Sequence, residues 1–307
     1  MKQEDKTTLD QQKKCSRVAV IVMLLLAILA CIFIAGKEPS LRSEPDDYAA
    51  DLAALEQDYG AKLGVYALDL ETNREISYQA DERFAYCSTF KVLAVGALLQ
   101  QNSLEQLEQR VQYAEAEILS YAPVTRQHVA DGMTRRELCE ASLRYSDNTA
   151  ANLVVKELGG LQSLQRTLAA LGDKVTEVAG MEPELNERLP GDSRDTSTPR
   201  QLAADLRAYT TGDLLPADKK DLLLSWMTGN ATGKSLIRAG APEDWIVADK
   251  SGSGPYARRN DIAVVLRPDK KPIFIAILSM HTRQEDKYDD VLLAQAAKIV
   301  FAALAVQ

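Results

Sequence analysis

The sequence predicts an α/β fold of the α+β kind: one antiparallel sheet built from both ends of the chain, flanked by helices, with an all-helical subdomain inserted. Three observations predict it. Strand-like alternation occurs at residues 63–79 and again at 245–280. Helical periodicity fills most of the chain between those two regions. The turns joining the late strands are too tight for a crossover, so their neighbours run antiparallel. At 307 residues, 46% hydrophobic and 26% charged, the composition is ordinary for a globular protein. That length suits one large domain or two modest ones sharing a core.

Residues 1–17 are polar and end basic, with Lys13, Lys14 and Arg17, and residues 18–35 form an unbroken apolar run closed by Gly36-Lys37. A cleavable signal ordinarily has an apolar core of roughly 7 to 15 residues, whereas about 18 begin to suffice for a membrane span. The basic flank orients such a span with its N-terminus inside and the remainder outside. Residues 1–36 are therefore expected to be a cytoplasmic tail with a signal or membrane-anchor segment. The rest is expected to be extracytoplasmic, anchored at the cell membrane or secreted. Ile28-Leu29-Ala30-Cys31 loosely resembles a lipoprotein cleavage site, but Ile32-Phe33-Ile34-Ala35 continues the apolar run beyond it. Residues 37–45 read as a polar linker and 46–307 as the folded domain.

Within that domain, residues 46–59 read as an amphipathic helix capped by Asp46 or Asp47. Residues 63–70 and 74–79 read as strands joined at Glu71-Thr72-Asn73. A helix placed at Ser88 runs through the apolar stretch to Leu99, and a long irregular segment continues to Gly132. Residues 133–145 read as a helix with a capping box, Thr134-Arg135-Arg136-Glu137. Further helical periodicity covers 148–158, 160–171, 199–209 and 217–227. Residues 245–252, 261–267 and 272–280 read as strands, and 289–306 as a closing amphipathic helix.

The formal net charge is −8, and beyond residue 36 there are 31 basic against 41 acidic residues. An acidic exported domain makes a poor partner for nucleic acid, which demands a basic face. Two histidines, His128 and His281, exclude a His-rich metal site and leave little room for a Ser-His-Asp triad. Cys15 and Cys31 lie in the leader; Cys87 and Cys139, in the domain, are expected to be buried free thiols.

The chemistry gathers at Tyr86-Cys87-Ser88-Thr89-Phe90-Lys91, where a helix would set Ser88 and Lys91 one turn apart on one face. A serine hydroxyl is a poor nucleophile until one group takes its proton and another stabilises the charge that forms. Lys91 is at the right distance for either job, and a helix N-terminus adds partial positive charge. Alone the pair is weak, since Ser-x-x-Lys arises about once by chance in a chain this long. Three further clusters follow in order. Ser146-Asp147-Asn148 lies between two helices, 58 residues after Ser88. Glu182-Pro183-Glu184-Leu185-Asn186 lies in a loop spanning about 177–199. Lys250-Ser251-Gly252 ends a strand, 104 residues after Ser146.

From Asp46 to the C-terminus this ordered set closely resembles the class A serine β-lactamases, within the penicillin-binding-protein and serine β-lactamase superfamily. Ser-x-x-Lys, Ser-Asp-Asn and Lys-Thr-Gly are a signature of these enzymes, and here Ser251 replaces the threonine. The resemblance implies the β-lactamase/D-alanyl-D-alanine peptidase-like fold. It also implies hydrolysis of the β-lactam ring of penicillins, and of cephalosporins, through a serine acyl-enzyme, giving antibiotic resistance.

Carried over residue by residue, the resemblance makes Ser88 the nucleophile and Lys91 the keeper of its protonation network. Ser146 passes a proton to the departing lactam nitrogen, and Glu182 with Asn186 holds the water that releases the acyl group. Backbone N–H groups of Ser88 and Ser253 form the oxyanion hole. Asn148 holds Lys91 and the substrate amide. Lys250, Ser251, Gly252 and Arg259 belong to the substrate side, where a cation and a hydroxyl suit the shared carboxylate; Arg258 is the alternative to Arg259. Tyr121 matches an aromatic gate at the rim, Asn152 ties the loop to the body, and Glu182–Pro183 is expected to be cis. No metal or cofactor is implied. The expected partners are small β-lactams and, through residues 18–35, a membrane; a monomer is expected.

Two positions depart from the pattern. Val95 stands where some relatives carry the disulfide partner of the position matching Cys139, in keeping with free thiols. Gly180 stands where relatives usually carry an arginine paired with the aspartate matching Asp195. Glycine removes that cation and adds backbone freedom, so a looser loop is expected. Two rival readings stay open. One is a D-alanyl-D-alanine carboxypeptidase (a penicillin-binding protein) of the same fold; the other is a non-hydrolysing β-lactam sensor or peptidoglycan-binding module. Glu182 and Asn186 argue against the peptidase, because together they can hold one water against the acyl bond. A sensor needs a signalling segment, which the short N-terminus does not offer.

Overall fold

The computed structural model describes residues 47–305. The expectations for the leader, the linker, Cys15 and Cys31 lie outside the described residues. Helix α1 (Asp47–Tyr59) precedes the hairpin β1 (Lys62–Asp69) and β2 (Arg74–Tyr78), whose turn places Asn73 in the left-handed region at φ 57°. Asparagine tolerates that conformation better than most residues. The short strand β3 (Phe84–Ala85) leads into a 3-10 turn, Cys87–Thr89, and then α2 (Phe90–Gln101). Every residue of α2 from Phe90 to Leu99 is buried. A helix apolar on nearly all sides belongs at the centre of a domain, and this one carries the Ser88 turn at its N-terminus.

The segment expected to be irregular contains α3 (Leu104–Leu107) and β4 (Arg110–Val111), which pairs with β5 (Met133–Thr134). That pairing moves the start of the next helix, α4 (Arg135–Arg144), to just after Thr134. The capping box forms: the Thr134 hydroxyl accepts from the Glu137 N–H at 3.1 Å, and the Thr134 N–H donates to Glu137 Oε2 at 2.7 Å. Then come α5 (Asn148–Glu157), α6 (Leu161–Ala170), β6 (Thr196–Ser197) paired with β3, α7 (Pro199–Thr210), α8 (Ala217–Thr228) and α9 (Ile237–Gly240). Helix α9 has only four residues, too few for a periodicity to show.

Strands β7 (Ile246–Gly254), β8 (Arg258–Arg267) and β9 (Lys270–Met280) precede the closing helix α10 (Asp290–Ala305). The main sheet has the order β2-β1-β9-β8-β7 and is antiparallel at every pairing. Strand β8 begins three residues before the strand expected at 261–267, because Arg258, Arg259 and Asn260 are buried and paired despite their polarity.

Alternation along the strands splits the core in two. Leu63, Val65, Ile273, Ile275 and Ile277 pack with α1 and α10 on one face. Tyr66, Ile262, Val264, Phe274 and Leu278 pack with α2, α4, α5, α6, α7 and α8 on the opposite face. Burying a residue of this kind stabilises by roughly 1.5–3 kcal/mol. The sheet edge at β7 and the N-terminus of α2 therefore meet across one cleft. Cys87 and Cys139 are free and buried. Among the described residues, no helix is long and apolar enough to cross a membrane.

Candidate active site

The turn that bears Ser88 is fixed from below. Asn260 on β8 donates through Nδ2 to the carbonyls of Ala85 (2.8 Å) and Tyr86 (3.1 Å). Cys87 adopts a left-handed conformation, φ 49°, immediately before Ser88. A side chain there costs energy that surrounding packing must offset. The packing is close. A Cβ added at Gly252 of β7 would lie 3.0 Å from the Ser88 backbone nitrogen and from the Tyr86 oxygen. Glycine at 252 lets strand β7 pass close against the Ser88 turn, where any side chain would press on that turn's backbone.

Ser88 Oγ donates to Glu182 Oε1 at 3.0 Å, and Lys91 Nζ lies 3.1 Å from the same oxygen. The Lys91 and Glu182 side chains are fully buried. Lys91 also donates to the Ser146 carbonyl (2.8 Å) and to Asn148 Oδ1 (2.6 Å), and approaches Ser146 Oγ at 3.3 Å. Burial pulls the Lys91 ammonium below its ordinary pKa, and the charge of Glu182 acts in the opposite direction.

Ser146 is a second left-handed residue, φ 55°, and its hydroxyl also accepts from Lys250 Nζ at 3.0 Å. One hydroxyl thus stands between two buried lysines. Lys250 is pushed down to about 7, first by burial and then by the charge of Lys91, against the pull of Asp249, Asp261 and Glu182. Asp147, fully buried, organises the surrounding turn. Its Oδ1 caps α5 through the Ala150 N–H, and its Oδ2 accepts from the Val124 and Thr125 N–H groups, all at 2.9 Å. The loop bearing Tyr121 is thereby tied to the start of the helix bearing Asn148.

The Glu182 loop is held by paired contacts. Asn152 Nδ2 donates to the Glu182 carbonyl (2.8 Å), and the Glu182 N–H returns a bond to Asn152 Oδ1 (2.9 Å). Asn186 Nδ2 donates to Glu182 Oε2 at 2.7 Å, across the single turn that separates them. The Glu182–Pro183 bond is cis. At the neck, Asp195 Oδ1 accepts from Tyr86 Oη (2.8 Å) and from the N–H groups of Ala179 and Gly180, while Oδ2 accepts from Arg188 Nε at 2.8 Å. Gly180 therefore does not leave Asp195 without a cation, as its residue type had led us to expect. Arg188, further along the loop, supplies one.

Arg259 faces the cleft. It donates to Asp290 Oδ1 at 2.7 Å and lies 4.8 Å from the Tyr288 ring centroid. Arg258 points the other way, toward the carbonyls of Asn186 and Arg188. A cavity of about 410 Å³ opens between these elements, with Ser88, Ser146, Glu182 and Ser251 on its walls. It offers a serine hydroxyl in contact with a carboxylate, a chain of hydrogen bonds through Lys91 and Ser146, and two basic side chains on the β7–β8 side. That is equipment for acyl transfer with a second, hydrolytic step.

The sequence matches the family described as the Beta-lactamase enzyme family over residues 47–304. The chain belongs to the β-lactamase family. Beta-lactamase 3 of Bacillus cereus is 52% identical over 254 residues, which is 83% of this chain and 80% of that protein. The β-lactamase of Bacillus licheniformis is 47% identical over 285 residues, 90% of this chain and 93% of its own. In structure the chain is similar to the class A β-lactamase from Clostridium kluyveri DSM 555, with a TM-score of 0.84 and 60% identity. That match covers 85% of this chain and 99% of the other. This β-lactamase is an enzyme of class A and hydrolyses β-lactams.

The β-lactamase cavity is lined by Ser88, Tyr121, Ser146, Asn148, Glu182 and Asn186 from one side of the cleft, and by Ser251, Gly252, Ser253 and Arg259 from the other. Lys91 and Lys250 lie buried behind that lining and reach it through their hydrogen bonds. Two lining residues escaped the sequence reading. Thr232 shares a hydrogen bond of 2.6 Å with the Ser251 hydroxyl, and Tyr288 covers Arg259. Thr232 sits in Thr228-Gly229-Asn230-Ala231-Thr232-Gly233, an ordinary polar loop by composition. Only its register against β7 distinguishes it.

Proposed function

We propose that this β-lactamase acylates Ser88 with the opened β-lactam and then hydrolyses the ester with Glu182 as general base. Ser88 Oγ attacks the lactam carbonyl carbon, and its proton passes to Glu182 Oε1. Backbone N–H groups of Ser88 and Ser253 receive the oxyanion; removing one donor of this kind typically costs roughly 3–4 kcal/mol. As the C–N bond breaks, Ser146 gives its proton to the departing nitrogen. Lys91 replaces that proton and takes one from Glu182, which returns as carboxylate. In the second half a water held by Glu182 and Asn186 loses its proton to Glu182 and attacks the ester. The Ser88 oxygen leaves with that proton, giving a carboxylic acid and the original enzyme. Lys250, Ser251 and Arg259 bind the substrate carboxylate, Asn148 its amide, and Tyr121 its rim.

The observation that carries this reading is the single oxygen, Glu182 Oε1, shared by Ser88 Oγ and Lys91 Nζ. Rapid-quench mass spectrometry with benzylpenicillin tests it. A mass increase on the Ser88 peptide should appear and vanish within each turnover, and Ser88→Ala should show neither adduct nor turnover. An adduct that persists in the unmutated protein would overturn the reading.

Penicillins and cephalosporins are both substrates in this reading. The exposed Ser253 on the cavity wall supports the second class with a hydroxyl able to add a hydrogen bond of roughly 0.5–1.5 kcal/mol. The enzyme works as a monomer outside the cytoplasmic membrane, with residues 18–35 as anchor or signal. The apolar run and its basic flank support that placement. Fractionating expressing cells, with N-terminal sequencing of the active species, separates anchored, lipidated and secreted forms.

A further inference from the structure

We propose that Arg258 is a positioning residue for release of the acyl group, acting through Asn186; this rests on the hydrolytic roles given to Glu182 and Asn186 above. Arg258 is 2% exposed, and among the described residues it has no carboxylate partner. Its guanidinium donates through Nη1 to the Asn186 carbonyl at 2.7 Å and through Nη2 to the Arg188 carbonyl. Burying a cation without a carboxylate is costly, so these two carbonyls are its main compensation, together with the Tyr256 ring 5.1 Å away. A planar fork with several donors suits two acceptors held at a fixed spacing, which a lysine ammonium does not match.

The two carbonyls flank Glu187, so Arg258 holds the backbone of the turn that ends in Asn186. The Glu182 end of the same turn is held differently. Its backbone is locked to Asn152, and its carboxylate to Ser88 and Lys91. Loss of Arg258 therefore frees Asn186 while leaving the Ser88–Lys91–Glu182 group supported. The second strut of the brace is Arg188, whose carbonyl Arg258 holds and whose own side chain reaches Asp195. Asp195 in turn holds Tyr86, two residues before the nucleophile. Strand β8 thus presents one arginine to the cleft and its neighbour to the loop that carries the base.

Acylation uses groups that Arg258 does not touch, whereas release needs water aligned between Glu182 and Asn186. A misplacement of about 1 Å at a reacting group is enough for a loss on the order of 100-fold. The test is Arg258→Met with benzylpenicillin, measuring acylation by rapid quench and release by decay of the Ser88 adduct. Release should fall roughly 10- to 100-fold while acylation changes less than about threefold. In an Asn186→Ala background the same substitution should slow release no further, a result that a merely structural role would not give. Arg258→Lys, which keeps the charge but loses the fork, should fall between parent and Arg258→Met and decides the matter if the methionine variant does not fold. Equal losses in acylation and release, additive effects with Asn186→Ala, or parental release in Arg258→Lys would overturn the proposal. An unmutated enzyme that never releases its adduct would instead overturn the roles of Glu182 and Asn186.

Discussion

Replacing Glu182 by glutamine removes one negative charge from the centre of the site and keeps its shape. In the structure that carboxylate accepts from Ser88 and Asn186 and pairs with Lys91 at 3.1 Å, with both side chains out of solvent. A positioned general base contributes roughly 100- to 10,000-fold, equivalent to about 3–5 kcal/mol of barrier at 1.36 kcal/mol per decade. In the proposed cycle Glu182 takes the Ser88 proton in acylation and the water proton in release, and the larger loss falls on release, where the same carboxylate must also align the water. Acylation keeps Lys91 and Ser146 as a proton path and should suffer less. Lys91 also loses the partner that counteracts its desolvation, so its ammonium form becomes less favourable still. The expected outcome is a Ser88 adduct that forms within a few parental turnovers and persists at least about 100-fold longer than in the parent. Stopped-flow absorbance gives the two rates, and intact-mass spectrometry identifies the adduct. Release within tenfold of the parental rate would refute the assignment of Glu182 as base.

Three further outcomes follow from buried ionisable groups. Lys250, at about 7 in the free enzyme, loses its charge as pH rises through that value, so KM for a carboxylate-bearing substrate should rise by up to about tenfold per unit above pH 7. Lys250→Arg, which stays charged, should flatten that rise. Asp205 is raised to about 8, chiefly by burial and then by Asp173, while its Oδ1 accepts from Gln201. Its folded-state pKa lies above the unfolded value, so the native state binds the extra proton and stability falls as pH rises from about 4 to about 8, by at most about 1.4 kcal/mol per unit. Urea unfolding of Asp205→Asn should lose that slope; an unchanged slope would show that Asp205 is ionised in the fold. The Cys87 thiol, pushed up to about 12 by burial, should resist iodoacetamide in the native enzyme at pH 8 and react once urea is added.

Residue types and their spacing in the sequence carried the resemblance to the class A β-lactamases, and that resemblance supplied the expected site roles. A serine and a lysine one turn apart, then Ser-Asp-Asn, a loop glutamate with its asparagine, and Lys-Ser-Gly could be read directly, because each is a local pattern. So could most helices and the strands with an apolar alternation, and the capping box at Thr134. The tertiary structure decided what depends on chain segments far apart in sequence. Arg258 and Arg259 are adjacent and identical in type, and only the pleat of β8 sends one to the loop and the other to the cleft. The cation for Asp195 comes from Arg188 within the loop, so the glycine at 180 was a misleading guide to how that neck is held. Thr232 and Tyr288 entered the cavity without any motif. The start of β8 was hidden by polar residues that are buried only because partners await them. Sequence reports which groups a chain has to offer. Which of them meet depends on the burial of distant strands and helices against one another, and no local pattern encodes that.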